Sequence, residues 1–132
     1  MKRSPALLAL SREHHTALSL AVRIARAADA ETEASLLSRV LAVFESELEP
    51  HFQEEERRLL PALLAVGETE LVNRTLEEHK MLRHLVEKMK LDDHLSLKAF
   101  GEQLAAHVRF EERELFVTAQ DVLSADYLNQ AE

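Results

Sequence analysis

His51-Phe52-Gln53-Glu54-Glu55-Glu56-Arg57-Arg58-Leu59 and His107-Val108-Arg109-Phe110-Glu111-Glu112-Arg113-Glu114-Leu115 are two copies of one pattern. In each, a glutamate follows a histidine by four residues, and a leucine follows the glutamate by four more. A four-residue step returns a side chain to the same face of an α-helix, one turn further on. Both copies therefore read as helices that carry His, Glu and Leu on one face. That face continues into Leu48 and Phe52 in the first copy, and into Leu104 and Val108 in the second. A polar pair thus sits inside an apolar stripe, where a surface pair is not expected.

The rest of the chain extends this reading. Helix A is expected from Pro5 to about Ala28, with Ser4 as its cap and Pro5 in the first helical position. Its stripe is Leu7, Leu10, Ala17/Leu18, Ala21, Ile24 and Ala28. Helix B is expected from about Glu33 to Leu60, on Leu37, Val40/Leu41, Phe44, Leu48, Phe52 and Leu59. Pro50 falls inside it and predicts a kink just before His51, because proline removes a backbone donor and crowds the preceding turn. Pro61 and Gly67 mark its exit. Helix C is expected over about Glu68 to Lys90, with Val72, Leu76, Leu82, Val86 and Met89 facing in. Helix D, capped by Asp92 or Asp93, runs to about Val122 on Leu97, Leu104, Val108 and Leu115. Ser124 to Glu132 forms a polar tail with room for one short turn. Four helices with short connections favour antiparallel neighbours, so the expected fold is an all-α, up-down-up-down four-helix bundle.

Composition agrees with one such domain over residues 1–132, with its core at about 5–122. Ala, Leu, Glu and Arg dominate, and there are only 2 Gly and 3 Pro. No run of alternating β-branched residues argues for a sheet. At this length roughly two-thirds of the chain's surface is buried on folding. With no cysteine, disulfides, iron–sulfur clusters and thiolate zinc sites are excluded. The start, Met1-Lys2-Arg3, is basic, but the apolar run from Ala6 to Leu10 is too short for a signal peptide and ends at Arg12 and Glu13. A cysteine-free chain without an export signal fits the cytoplasm. No stretch approaches the roughly 20 apolar residues that cross a bilayer. The net charge of −8 argues against nucleic acid and anionic membranes as partners. Lys80, Arg83, Lys88, Lys90 and Lys98 are interleaved with acids and read as a solvated helix face.

Each stripe is interrupted by polar residues. His14 interrupts helix A, His51 and Glu55 helix B, His79 helix C, and His107 and Glu111 helix D. Burying an unpaired carboxylate costs several kcal/mol even after relaxation. Two glutamates in one small core would also repel each other. A metal ion removes both costs, since its charge offsets the carboxylates and it takes up the imidazole lone pairs. Imidazole with carboxylate suits iron, with manganese or zinc as alternatives. The set His14, His51, Glu55, His79, His107 and Glu111 suggests two metals bridged by both glutamates, each with two terminal histidines and an open position. His-x-x-x-Glu alone is a common spacing in a Glu-rich chain. The pairs gain meaning because both lie in phase with the core, mid-helix and on alternate helices. The lone histidines also match, as Glu13-His14 and Glu78-His79. The chain thus reads as two helix pairs, A–B and C–D.

Through Glu13-His14, His51-x-x-x-Glu55-Glu56 running to Leu59-Leu60-Pro61, Glu78-His79, and His107-x-x-x-Glu111 ending in Leu115-Phe116, the sequence resembles the hemerythrin-like, or HHE cation-binding, family. The resemblance spans about Leu7 to Val122. It implies an antiparallel bundle with a non-heme di-iron centre, two iron ions with an oxo or hydroxo bridge, that meets a small diatomic ligand, O2 or NO. The oxygen-carrying members have a second histidine four residues after the helix C ligand, where this chain has Arg83. His84 lies about 100° away around the helix. The carriers also use an aspartate five residues after the helix D histidine, whereas Glu111 stands at four. The four-His, two-Glu set is similar to that of di-iron proteins linked to iron–sulfur cluster repair. One fewer histidine implies open positions at both irons, which favours NO or peroxide chemistry.

Other polar residues read as bland. His15 competes with His14 for the ligand role but fits the stripe less well. His84 and His94 read as surface histidines, and Glu54, Glu56 and Glu112 as solvated charges, the last two within reach of arginines. The partners of the second ring nitrogens cannot be named from sequence. Three functions compete: a di-iron sensor or small-molecule binder; a di-iron enzyme or iron donor acting on peroxide, NO or cluster repair; and a structural bundle with zinc or no metal. Turnover with a reductant separates the first two. Ferritin-like oxidases need Glu-x-x-His pairs that these histidines lack, and a zinc protease needs His-Glu-x-x-His.

Overall fold

A computed structural model describes residues 3–130, and within them all regular structure is helical. Residues 1, 2, 131 and 132, which include part of the basic start and the end of the expected tail, lie outside the described residues. Four long helical stretches cover 5–26, 30–65, 69–89 and 94–122. The first is α1 (Pro5–Arg26). The second comprises α2 (Ala30–Val43), α3 (Glu49–Glu54) and α4 (Leu60–Ala65), joined by π-turns at Phe44–Leu48 and Glu55–Leu59. The third is α5 (Thr69–Met89). The fourth is α6 (His94–Phe110), a π-turn at Glu111–Leu115, and α7 (Phe116–Val122). One further turn, α8 (Ala125–Leu128), lies where the tail left room for it.

Local chemistry explains most boundaries. Asp29 caps α2 by accepting the Thr32 backbone N–H at 2.7 Å, so the second stretch starts three residues before the expected Glu33. Asp93 accepts from the Leu95 and Ser96 backbone N–H groups and caps α6. Pro61 does not end the second stretch. Its ring meets a widened turn, in which Leu60 N–H bonds the Glu55 carbonyl five residues back, and the helix continues to Ala65. Pro50 follows a similar widened turn, Phe44–Leu48.

The apolar stripes face inward with three corrections, the first being that Ala28, expected inside, is exposed beyond the end of α1 while Ala27 is buried. Leu76, expected inside, is 41% exposed, and Thr75 takes the buried position with its hydroxyl donating to the Leu71 carbonyl at 2.8 Å. Leu18 is exposed and Ala17 is buried. The core divides into two apolar clusters. One holds Leu20, Ile24, Val40, Phe52, Leu82, Phe100 and Leu104; the other holds Leu7, Leu10, Leu59, Leu63, Val72, Leu115 and Phe116. In every long stretch the histidine-bearing turn falls where the chain passes from one cluster to the other. Among the described residues no helix is long and apolar enough to cross a membrane.

Gly101 of α6 packs against Ile24 of α1, where an added Cβ would stand 2.8 Å from Ile24 Cγ2 and 3.1 Å from its Cβ. A β-branched side chain inside a helix cannot easily swing aside. Gly101→Ala therefore gains about 1 kcal/mol of helix propensity but costs more through overpacking. We expect a net loss of about 1–2 kcal/mol, read as a lower urea midpoint at unchanged slope.

Candidate metal centre

His14, His51, Glu55, His79, His107 and Glu111 are all buried, none more than 5% exposed. They converge from all four stretches into two groups that share both glutamates: His14, His51, Glu55 and Glu111, and Glu55, His79, His107 and Glu111. Within each group one ligand atom per residue lies within 4.8 Å of the others. Glu111 Oε1 lies 2.8 Å from His14 Nε2 and 3.7 Å from His51 Nε2, while its Oε2 lies 3.1 Å from His107 Nε2 and 3.9 Å from His79 Nε2. Glu55 divides in the same way, with Oε2 at 3.2 Å from His51 Nε2 and Oε1 at 2.9 Å from His79 Nε2. Each carboxylate therefore offers one oxygen to each histidine pair.

Both glutamates open a π-turn. Such widened turns recur at functional sites. Pro61 accounts for the one at Glu55, but no proline follows Glu111. There, five consecutive residues with no helix breaker adopt the same turn, and sequence carries no signal for it.

The Nδ1 atoms face outward onto a second set of carboxylates. His14 Nδ1 donates to Glu112 at 2.6 Å, His51 to Glu13 at 2.8 Å, His79 to Glu56 at 2.6 Å and His107 to Glu78 at 2.7 Å. Each glutamate reaches a histidine on a neighbouring helix, so the contacts run in a closed circle: first stretch to second, second to third, third to fourth, fourth to first. Glu56 and Glu112, read from sequence as solvated, are partly buried here, and Glu13 and Glu78 join them in a role the sequence left unassigned. The available signal was adjacency, since each is the chain neighbour of one of the six.

An Nδ1–H that donates outward leaves Nε2 to face the inner carboxylates. Lone pairs and carboxylate oxygens then converge on the same points, and only a cation satisfies both. Glu55 Oε2, Glu111 Oε2, His51 Nε2 and His107 Nε2 are buried without a hydrogen-bond partner. The donor set therefore fits a metal. Without one, protons must serve. Burial lowers the His51 imidazole, but Glu55, Glu111 and Glu13 outweigh it and push it up to about 12. His107 is likewise lowered by burial and raised more strongly by Glu111, Glu78 and Glu55, to about 10. Burial raises the Glu111 carboxyl, yet His107, His14 and His51 hold it well below the usual carboxylate range.

This gives the metal-free protein a defined pH profile. The raised histidines contribute stability that is full below pH 6.5 and lost as pH rises toward 10 to 12. The depressed Glu111 contributes stability present above 4.5 and lost as pH falls below it. Chelator-treated protein should melt highest between pH 4.5 and 6.5 and lower on either side. A midpoint that rises steadily from pH 6.5 to 9 would contradict the assignment.

His15 is exposed and lines a surface groove with Arg23 and Arg39, so His14, and not His15, enters the cluster. His84 is exposed, and His94 lies 3.5 Å from Glu33. Arg83 spans Glu49, at 2.6 and 2.7 Å, and Glu56, at 2.9 and 3.2 Å. In comparison with known proteins, the Hemerythrin HHE cation binding domain matches residues 6–119, a span that contains every residue of the cluster. No curated protein and no solved structure matches the chain.

Proposed function

Because this chain belongs to the hemerythrin HHE cation-binding domain family, we propose that it is a non-heme di-iron protein that binds O2 or NO as a sensor or small-molecule binder. The observation that carries the reading is the division of each buried glutamate between the two histidine pairs. Ions held by His14 and His51, and by His79 and His107, would be bridged by Glu55 and Glu111. Two imidazoles and two carboxylate oxygens make four donors per ion, of the mixed N and O type that suits iron. Iron accepts more than four, so a position would stay open for a diatomic ligand. When bound, two ferrous ions supply that open position and the electrons that hold the gas.

The chain's own residues do the rest. The four outer carboxylates fix each ring and make its Nε2 a better donor. The two apolar clusters exclude bulk water on either side. We also read the domain as an up-down-up-down four-helix bundle. Successive stretches visit the two clusters in alternating order, which supports antiparallel neighbours.

A second reading, a di-iron enzyme or iron donor, draws support from the equal donor count of the two positions, which leaves both open to a reactant. Anaerobic, ferrous-loaded protein mixed with O2 or NO separates the two. A new visible absorption that reverses on removing the gas is the result expected for a binder. Continuous gas consumption with an added reductant would favour the enzyme. No spectral change with either gas would overturn both.

A further inference from the structure

We propose that the two metal positions are unequal: the one formed by His14 and His51 is exchangeable, filled last and emptied first, because Glu13 leaves its corner unclamped. The inference rests on the two-metal reading above.

Three of the four outer contacts are backed by an arginine. Arg83 lies 2.9 Å from Glu56, Arg74 2.9 Å from Glu78 and Arg3 2.9 Å from Glu112. Each of these arginines also lies over a phenylalanine: Arg83 over Phe52, Arg74 over Phe110 and Arg3 over Phe116. Phe52 in turn stacks on His79 at 4.2 Å, and Phe116 on His14 at 5.4 Å. A carboxylate backed by a guanidinium is less free to swing away from its imidazole than one without, even where, as with Arg74, the guanidinium is itself half-exposed.

The fourth corner has no such backing. Among the described residues no arginine or lysine forms an ion pair or hydrogen bond with Glu13. Its side chain is 52% exposed, against 29% for Glu112, 25% for Glu56 and 24% for Glu78. Water competes for a half-exposed carboxylate, so the His51–Glu13 contact is the weakest link of the circle. A cavity of about 10 Å³, room for about one water, is bordered by Glu13, His14, His51 and His107. The neighbouring support is also less central, because Arg3 precedes the first turn of α1, whereas Arg74 and Arg83 both lie within α5. His79 and His107 therefore form the position with both rings clamped, while His14 and His51 form the position with one.

The test is chelator-driven release from protein loaded with two Co(II), followed by loss of visible absorption. The wild type should release its ions in two phases of equal amplitude. Glu13→Gln keeps an oxygen for the His51 Nδ1–H but loses the charge, and should speed the fast phase alone, by about tenfold. That is the low end of the 10–100-fold range for outer partners. Arg83→Gln should speed the slow phase alone. A single phase for both ions, or a Glu13→Gln effect on the slow phase, would overturn the proposal. Wild type that is folded by circular dichroism yet binds one Co(II) or none would instead sink the two-metal reading itself.

Discussion

Glu55→Ala combined with Glu111→Ala should strip the protein of metal. Each glutamate gives one oxygen to each histidine pair, so the double variant removes two donors from both positions at once. Loss of a single outer partner typically costs 10–100-fold in affinity, and loss of two direct donors costs more. Metal per chain should fall at least about tenfold after purification. The alanines leave voids among four histidines, so Glu55→Gln with Glu111→Gln serves as the same test at nearly unchanged volume. His51→Ala, which belongs to one group only, should lose about half of the metal. Full metal content in either double variant would show that the glutamates do not bridge.

Removing the metal from the unaltered protein should leave it folded but much less stable. The buried carboxylates find protonated imidazoles in place of the ions, since burial lowers all three rings but is outweighed, at His51 and His107 by Glu55, Glu111 and their outer partners, and at His14 by Glu111 and Glu112. Collapse is therefore not expected. Binding at a thousand times the dissociation constant is worth about 4 kcal/mol per site, and that stabilisation disappears with the ions. For a domain of this size each kcal/mol moves the midpoint by about 3–5 °C, so chelation should lower the melting temperature by at least about 10 °C. The size of the drop should depend on pH, because the metal-free form weakens as its imidazoles deprotonate. An unchanged melting temperature after complete metal removal would mean that the cluster is held by something other than a cation.

Much of this arrangement was legible in the sequence for one physical reason. Polar side chains that recur in phase with an apolar stripe must be buried, and His14, His51, Glu55, His79, His107 and Glu111 all interrupt such stripes. The outer carboxylates were not legible. Glu13, Glu56, Glu78 and Glu112 lie off the stripe, where helical periodicity says solvent, and only the packing of neighbouring helices turns each toward a histidine. Hydrophobicity misled at Leu76, because Thr75 satisfies its own hydroxyl within the helix and so can be buried at little cost. Pro61 misled in a similar way. It breaks a regular α-helix but is tolerated after a widened turn, and the turn at Glu55 exists in the same place as the carboxylate that uses it. The matching turn at Glu111 has no local cause in its own sequence.

The most direct test of a two-metal centre is metal content per chain on freshly purified protein, measured together with its visible spectrum. About two irons per chain, with the blue absorption of a bridged ferric pair, is the result predicted from two histidine pairs sharing two glutamates. One zinc, or no metal in a protein that is folded, would contradict it.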